Sequence, residues 1–352
     1  MSRLWDFRGY GGVPPLQPGD VPPALVTLAC ERIGLLHSRS LGGSMAVTNP
    51  QEVHFLIDMN LAAGRRYTLV EQVSISPLRF NDAGLETATR FLNNPDVKVV
   101  ITNAIPMAGA TCPLDPRAAA VQSTAETIAH DLLCQALGLG PGGLSLRIEP
   151  FDFQYSSIVF GSPEWCLYRL LALQMQEFLT GRPSRGGMFR SVAKRPDAQA
   201  ACERMASVLW QAVAGIRRFG AVGQLSVDEI FSPQQAVIDG EILRYVQRLV
   251  HGLDFGTGAS DPVALIGEGV AEGSFIGVND TVNRFREIYD FPDLFRHWNM
   301  GRWSAAGQPS LLQEAWQRAQ EEIARCAFAL PEDREREVQR LYDRAAKSLR
   351  GS

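Results

Sequence analysis

Closely spaced cysteines are missing from this sequence. Its six cysteines are widely scattered, and no two of them form a C-x-x-C motif. Zinc and iron–sulfur sites usually need such pairs. The five histidines show no metal-binding spacing either, so no metal site is predicted. Small buried thiols are the expected role of the cysteines, which indicates a reducing, cytoplasmic compartment.

An excess of charge and a long apolar run are also lacking. The chain has 34 Lys and Arg against 38 Asp and Glu, so no basic footprint for nucleic acid is expected. No apolar run reaches the ~18 residues of a membrane span, and the N-terminus has no hydrophobic signal core. With 45% hydrophobic residues over 352 positions, the chain is predicted to be globular with an ample core.

No G-x-G-x-x-G fingerprint follows the first predicted strand, which removes the usual reason to expect dinucleotide binding. What the sequence has instead is alternation of strands and helices. Several helices are predicted to begin with a proline near the first turn, each after a strand and a loop. These prolines are Pro50, Pro116, Pro163, Pro196 and Pro233. Repetition of that unit predicts parallel strands joined by helical crossovers.

An open doubly wound sheet and a closed barrel both fit this rhythm, and at least six strand–helix units favour the barrel. The predicted strands are 3–7, 40–47, 67–73, 97–102, 144–148, 182–189 and 216–225. An eighth strand is not evident. The sequence therefore predicts an α/β fold, a TIM-type (β/α)8 barrel over residues 1–260 that is either complete or shortened at its N-terminal end. Residues 261–352 are predicted to form a helical extension packed on the barrel, ending in two charged amphipathic helices at 310–328 and 331–349.

One strand-to-helix connection is unusually poor in bulky side chains. The stretch "NAIPMAGATCPLDPRAA" has no charged residue between Asn103 and Leu114. Either it packs tightly under a neighbouring loop, or its backbone lies close to a ligand at the mouth of a barrel. Cys112 lies in this connection, but no basic neighbour in the sequence is there to activate its thiol.

Several motifs resemble those of the trimethylamine:corrinoid methyltransferase family, in the same order and spacing. They are "SPLRF" at 76–80, "MAGATCPLDP" at 107–116, "FGSPEW" at 160–165, "KRPDAQAACERM" at 194–205, "QQAVIDGEILRYVQRL" at 234–249 and "FIGVNDTVNRFRE" at 275–287. The chain also differs from the usual pattern. Gln154 stands where the family usually has arginine, and Asp280 stands where it usually has histidine.

The resemblance implies a TIM barrel that moves a methyl group from a methylated amine to Co(I) of a separate corrinoid protein. That partner supplies the cobalamin, and no cofactor is expected to bind tightly to this chain. Family members that use trimethylamine carry pyrrolysine, whereas this sequence has standard residues alone. The resemblance therefore points to a quaternary amine such as a betaine. A homo-oligomer is a further expectation.

A cationic methylamine is attracted by aromatic faces and by a carboxylate. The stretch after the 144–148 strand offers both, in Glu149, Phe151, Asp152, Phe153 and Tyr155. Glu149 and Asp152 are expected at the C-terminal end of that strand, on the catalytic side of a barrel. The alternative is that the aromatic rings pack the barrel rim while Asp152 caps a turn.

Two further residues are candidates for the substrate site. Glu71 lies within a predicted strand, where alternation either turns it inward or leaves it as an outward charge. Arg185 either binds the carboxylate of a betaine or lies on the surface. No residue is assigned a catalytic role. Two other functions also stay open: a repurposed or non-catalytic barrel that binds a small ligand, and a pterin-dependent methyltransferase.

Overall fold

A computed structural model of the protein describes residues 3–4, 18–39, 44–45, 47–103, 105–140, 144–182, 184, 186–253 and 261–349. The helices are α1 (Val26–His37), α2 (Pro50–Ala62), α3 (Asp82–Arg90), α4 (Pro116–Ala136), α5 (Pro163–Thr180), α6 (Ala198–Val213), α7 (Pro233–His251), α8 (Pro262–Glu272), α9 (Asn279–Ile288), α10 (Met300–Ala305), α11 (Leu311–Arg325) and α12 (Glu332–Leu349). The strands are β1 (Ser44–Met45), β2 (Thr68–Val73), β3 (Val97–Thr102), β4 (Met107–Ala108), β5 (Glu149–Asp152), β6 (Ser157–Ile158), β7 (Gly187–Met188), β8 (Phe219–Gly220), β9 (Gln224–Leu225) and β10 (Ile230–Phe231).

The sheets are small, and most of their strand pairs are parallel. β1, β2 and β3 form a parallel sheet in that order. β4 pairs in parallel with β5, which pairs on its other side with antiparallel β6. β7 and β8 form a parallel pair, and β9 and β10 an antiparallel one. Parallel strands joined by helices confirm the predicted α/β class.

Closure of these strands into one barrel is not found in the described part of the chain. The four sheets are separate, and no strand ladder joins β3 to β4 or β5 to β7. The predicted strand at 144–148 is wrong, because β5 begins only at Glu149. A strand needs a neighbour for its ladder hydrogen bonds, and the segment 144–148 has none. Of the predicted strand 3–7, residues 3–4 are helical and the others lie outside the described ranges.

Most helix starts follow the local chemistry of the sequence. Asn49 and Ser232 cap α2 and α7, their side chains accepting hydrogen bonds from Gln51 N and Gln235 N. Each of these caps is followed by a proline at the first helical position. The N–H of a residue at this position has no hydrogen-bond partner within the helix, so proline, which lacks an N–H, costs nothing there. Pro196 is the exception: Asp197 caps α6, so the helix begins after the proline rather than with it.

Two main hydrophobic cores hold the helices to the sheets. The first joins β2 and β3 to α1, α2 and α12, and it includes Val70, Val99, Leu56 and Leu341. The second joins α6, α7 and α11. Its buried members include Phe189, Val208, Ala236, Ile242 and Ala315.

The C-terminal helices make contact with both cores. α12 packs against α1 and α2, and α11 packs against α7. The predicted division after residue 260 falls at residues 254–260, outside the described ranges, and stays a prediction. In the single chain, α8 exposes Val263, Ile266 and Val270. The predicted homo-oligomer likewise stays a prediction. No helix in the described residues is long and apolar enough to cross a membrane.

A buried ion pair joins α6 to α7. Arg204 and Asp239 both have fully buried side chains, and Arg204 Nε donates a 2.6 Å hydrogen bond to Asp239 Oδ1. Asp239 also accepts hydrogen bonds from the Gly223 backbone and from Gln235 Nε2. The guanidinium of Arg204 donates to backbone carbonyls, including that of Ala221. The pair therefore fixes the turn after β8 to both helices.

Candidate active site

A cavity of about 920 Å³ lies between α5, the segment that leads into β5, and the residues around β7. It lies where β5 and β7 are not hydrogen-bonded to each other. The lining side chains that bear charge or hydrogen-bonding groups include Arg147, Glu149, Trp165, Arg169, Gln176, Arg182, Arg190 and Gln211. Glu149 is therefore brought together with arginines that are distant from it in sequence.

Glu149 is the buried carboxylate of this cavity. It is the first residue of β5 rather than the last of a strand, which corrects its predicted position. Burial raises the pKa of its carboxyl group, and Arg190, Arg147 and Arg169 act in the opposite direction without cancelling that effect. The Trp165 indole also lowers this pKa slightly, although its Nε1 makes no hydrogen bond of ordinary geometry. The surroundings therefore favour the protonated acid more than water does.

Arg169 reaches the cavity from α5 and is held by neutral groups. Its Nε donates to Gln211 Oε1 at 3.2 Å, and its Nη2 donates to the Gly186 carbonyl at 2.9 Å. Burial and, after it, the Arg147 cation lower the pKa of this guanidinium to about 10, against the opposite effect of Glu149. The group remains a cation at neutral pH, so it adds positive charge to the cavity without being neutralised by its own hydrogen bonds.

Arg190 follows β7 and is buried. Its guanidinium carbon lies 4.0 Å from the centre of the Phe160 ring, and Nη2 lies 2.8 Å from Met188 Sδ. Burial lowers the pKa of Arg190 to about 10, while Glu149 raises it. No ion pair within 4 Å joins Arg190 to a carboxylate of the described residues.

Buried polar atoms without partners are concentrated at this cavity. Within the described residues, Glu149 Oε2, Trp165 Nε1, Gln176 Oε1 and Arg190 Nε are buried and make no hydrogen bond. Buried polar groups normally have a partner, because an unpaired one costs about 1–3 kcal/mol. Four such atoms on one cavity indicate a place built for a polar ligand or ordered water.

The predicted aromatic residues lie at the outer end of β5. Phe151 and Phe153 pack edge to face, with ring centres 5.4 Å apart. Phe153 is 64% exposed and Tyr155 is 73% exposed, so both side chains are largely open to solvent. Asp152 Oδ1 accepts hydrogen bonds from the backbone N–H groups of Gln154 and Tyr155, which is the turn-capping arrangement. These residues surround the end of β5, whereas Glu149 lies deeper.

Phe153 explains the glycine at position 109 in the connection at 103–119. Gly109 has φ +88°, and a Cβ placed there would lie 2.4 Å from Phe153 Cζ. The aromatic ring therefore rests directly on the Gly109 backbone. Both of the predicted explanations require another group to come close to the backbone of this connection. In this structure that group is the side chain of Phe153, a residue of the candidate site.

Replacing Gly109 with alanine is expected to destabilise the protein by about 1–3 kcal/mol, because the new Cβ meets both an unfavourable φ and the Phe153 ring. Gly138→Ala is the matched control. Gly138 also has positive φ, but no atom lies within 4 Å of a Cβ placed there. Urea unfolding of both variants measures the difference. Equal losses of stability would show that Phe153 does not rest on Gly109 in solution.

Cys112 is a buried thiol in the same connection. Burial and, to a smaller extent, the Glu126 carboxylate raise its pKa to about 11. At pH 8 we therefore expect iodoacetamide to alkylate exposed Cys202 at least about a hundredfold faster than Cys112, because the thiolate is the reacting species. Peptide mass spectrometry over time measures both rates. Comparable rates would contradict the buried position of Cys112.

The two remaining candidates are placed differently. Glu71 in β2 is half-buried, and burial raises the pKa of its carboxyl group, while Thr102 and Arg147 lower it. Glu71 thus lies within electrostatic range of an arginine that lines the cavity. Arg185 lies outside the described residues. Among the residues that are described, no cluster of three or more His, Cys, Asp or Glu side chains is suited to hold a metal ion.

Sequence reasoning missed the arginines and Trp165. Arg147 could have been found, because Arg147, Glu149 and Phe151 follow one another at the two-residue spacing that places side chains on one face of an extended chain. Trp165 and Arg169 lie four residues apart, and therefore on one side of α5. Nothing in the local sequence shows that this side faces Glu149.

Strand–helix units around a cavity lined by arginines and a buried carboxylate are typical of an α/β protein that binds a small ligand. Comparison with known proteins identifies the family within this class. The profile of the trimethylamine methyltransferase (MTTB) family matches residues 55–349. The chain therefore belongs to the trimethylamine methyltransferase family.

Individual relatives agree with this assignment. A trimethylamine methyltransferase MttB of Methanosarcina barkeri is 30% identical over 209 residues, which are 57% of this chain and 40% of the relative. Trimethylamine methyltransferase MttB1 of Methanosarcina acetivorans is 26% identical over 253 residues, 70% of this chain and 49% of the relative. A glycine betaine methyltransferase of Desulfitobacterium hafniense is 27% identical over 221 residues, 61% and 45% of the two chains. The chain thus matches less than half the length of these relatives.

Proposed function

We propose that this protein transfers a methyl group from a methylated amine, and specifically a quaternary one such as a betaine, to the Co(I) of a separate corrinoid protein. The observation that carries the proposal is membership of the trimethylamine methyltransferase family over residues 55–349. The relatives named as trimethylamine and glycine betaine methyltransferases support the class of substrate. The corrinoid protein is the second substrate and the partner in this proposal.

The side chains around β5 support binding of the methylated nitrogen. We assign the cation to the rings of Phe151, Phe153 and Tyr155 at the outer end of β5, outside the arginine-lined cavity, and Glu149 acts on it as a negative charge from the inner end of the same strand. The aromatic rings attract a quaternary ammonium ion, and Asp152 adds a carboxylate at the same edge. Arg185 keeps its proposed role as partner of a betaine carboxylate, and Glu71 contributes negative charge on the neighbouring sheet.

The proposed reaction does not require the protein to donate or accept a proton. The electron pair of Co(I) forms the new bond to the methyl carbon, and the carbon–nitrogen bond breaks with its pair staying on nitrogen. A quaternary nitrogen leaves as a neutral tertiary amine, so no general acid is needed. The side chains named above hold the methyl group towards the opening and keep water away from it.

For the scaffold, we infer a TIM-type barrel. Its wall would be made of the parallel sheet β1–β2–β3 and the parallel strand pairs β4–β5 and β7–β8. Their order along the chain and the helix after most strands support this arrangement. In a barrel of this kind the ends of β4, β5 and β7 meet at one mouth, which is where the aromatic group lies.

An anaerobic assay tests the proposed function. Purified protein, Co(I) cobalamin or the cognate corrinoid protein, and a panel of betaines and methylated amines are mixed, and the absorbance of methylcobalamin is followed. We expect at least one quaternary amine to give a rate above that of the protein-free mixture. A panel in which no compound exceeds that rate, even with the corrinoid protein present, would overturn the proposal in favour of a barrel with another function.

A further inference from the structure

The cavity beside β5 has more positive charge than its own side chains neutralise. Four arginines line it, namely Arg147, Arg169, Arg182 and Arg190, and Glu149 is the one carboxylate among its described lining residues. None of the four arginines appears in an ion pair within the part of the chain that the structure describes. Arg190 is buried, Arg147 and Arg169 are half-buried, and Arg182 is exposed. A buried cation is normally paired. A negatively charged ligand therefore fits the cavity.

Two of these arginines have hydrogen-bond donors to offer. The guanidinium of Arg169 is already occupied by Gln211 and the Gly186 carbonyl. Arg190 Nε, by contrast, is buried without a partner, and the group is held in place by the Phe160 ring, 4.0 Å from its guanidinium carbon. Arg147 is half-buried and makes no hydrogen bond among the described residues.

One further donor lines the cavity, and two carboxylates lie near it. Trp165 Nε1 is a further buried donor, which acts on Glu149 but makes no hydrogen bond of ordinary geometry. Glu71 lies within electrostatic range of Arg147, and exposed Asp228 within range of Arg190, but neither lines the cavity. Because both carboxylates are partly or fully open to water, they screen the arginines only weakly. The positive excess is thus largely left for a ligand.

We propose that this cavity binds a doubly charged anionic group, either a phosphate monoester or a dicarboxylate, between Arg147 and Arg190. The planar guanidinium group matches the oxygen spacing of both anions. Two such groups and the Trp165 indole offer more donors than a single carboxylate can use, and Arg169 adds a third positive charge behind them. The site depends only on these contacts, so it does not require the proposed methyl transfer.

Isothermal titration calorimetry with the full chain tests this site. Inorganic phosphate and succinate are the probes, acetate is the singly charged comparison, and ionic strength is held constant with sodium chloride. We expect saturable binding of phosphate or succinate to one site per chain. Acetate is expected to bind at least about tenfold more weakly, because it can use fewer charge-assisted hydrogen bonds. If only one of the two probes binds, the result identifies which of the two anions the cavity accepts.

Variants distinguish this cavity from other basic surfaces. Arg147→Gln and Arg190→Met should each weaken binding of the preferred anion at least about tenfold. Arg66→Gln is the control, since exposed Arg66 does not line the cavity and the substitution removes the same charge. Arg147 makes no described hydrogen bond, so its variant is informative even if Arg190→Met fails to fold. Acetate binding as tightly as both probes, or Arg147→Gln binding like the parent, would overturn the proposal.

Discussion

Replacing Asp239 with alanine is expected to lower the free energy of unfolding by about 3–5 kcal/mol. The substitution leaves the guanidinium of Arg204 as a buried, unpaired charge, because both side chains are fully buried. It also leaves the Gly223 N–H and Gln235 Nε2 without their acceptor. Urea unfolding followed by circular dichroism measures the loss.

Asp290→Ala is the matched control for this prediction. Asp290 also pairs with an arginine, Arg244, at 2.8 Å, but the two side chains are 27% and 40% exposed. We therefore expect a loss of about 1 kcal/mol or less. The double substitution Arg204→Met with Asp239→Leu should recover much of the stability, because it removes both charges. Equal losses for Asp239→Ala and Asp290→Ala would contradict the buried pair.

Replacing Glu149 with glutamine is expected to stabilise the protein at pH 8, by on the order of 1–3 kcal/mol, while it lowers methyl transfer. Burial raises the pKa of the Glu149 carboxyl group above its ordinary value of 4.5. As the pH rises above 4.5, the unfolded chain releases this proton before the folded chain does, so folding stability falls. The fall is complete once the pH exceeds the raised pKa of the folded state, and glutamine has no proton to release.

Stability as a function of pH, measured by urea unfolding from pH 4 to pH 8, tests the first half of this prediction. The parent should lose stability over the interval that begins near its ordinary pKa, and Glu149→Gln should lose less. In the methyl transfer assay, the same variant should have kcat/KM lowered by about tenfold or more, because the ammonium group loses a buried carboxylate partner.

Glu177→Gln provides the control, since Glu177 is an exposed residue of the same α5 region and lines no part of the cavity. It should change neither stability nor kcat/KM. A Glu149→Gln variant that is less stable than the parent at pH 8 would show that the carboxylate is structural. Unchanged kcat/KM would remove Glu149 from the substrate site.

The local elements were largely predictable because their signals are local. The apolar run from Val97 to Thr102 gave β3 with both of its bounds. Proline after a capping side chain gave the starts of α2, α4, α5 and α7. The same rule placed the start of α6 too early, because Pro196 precedes the cap Asp197. Position relative to the cap, rather than the presence of proline, sets where a helix begins.

Sheet pairing was less predictable, because a strand exists only with a neighbour. The segment "LSLRI" alternates in the way a strand does, yet residues 144–148 pair with nothing and β5 begins at Glu149. That shift moves Glu149 from the end of a strand to its beginning. The class of fold was therefore predictable from repeated units, whereas closure of the sheets depends on partners that the local sequence does not specify.

By itself, the sequence determined the family, the α/β class and the carboxylate and aromatic residues around β5, since motifs and strand periodicity are properties of short segments. Only the tertiary structure decided what surrounds Glu149. Arg169 comes from α5 and Arg190 from the residues after β7, 20 and 41 positions further along the chain, and folding brings both to the Glu149 cavity. Charges that meet in this way act through space, so their effect on the pKa of Glu149 and on the choice of ligand depends on burial and distance, which the order of residues does not contain.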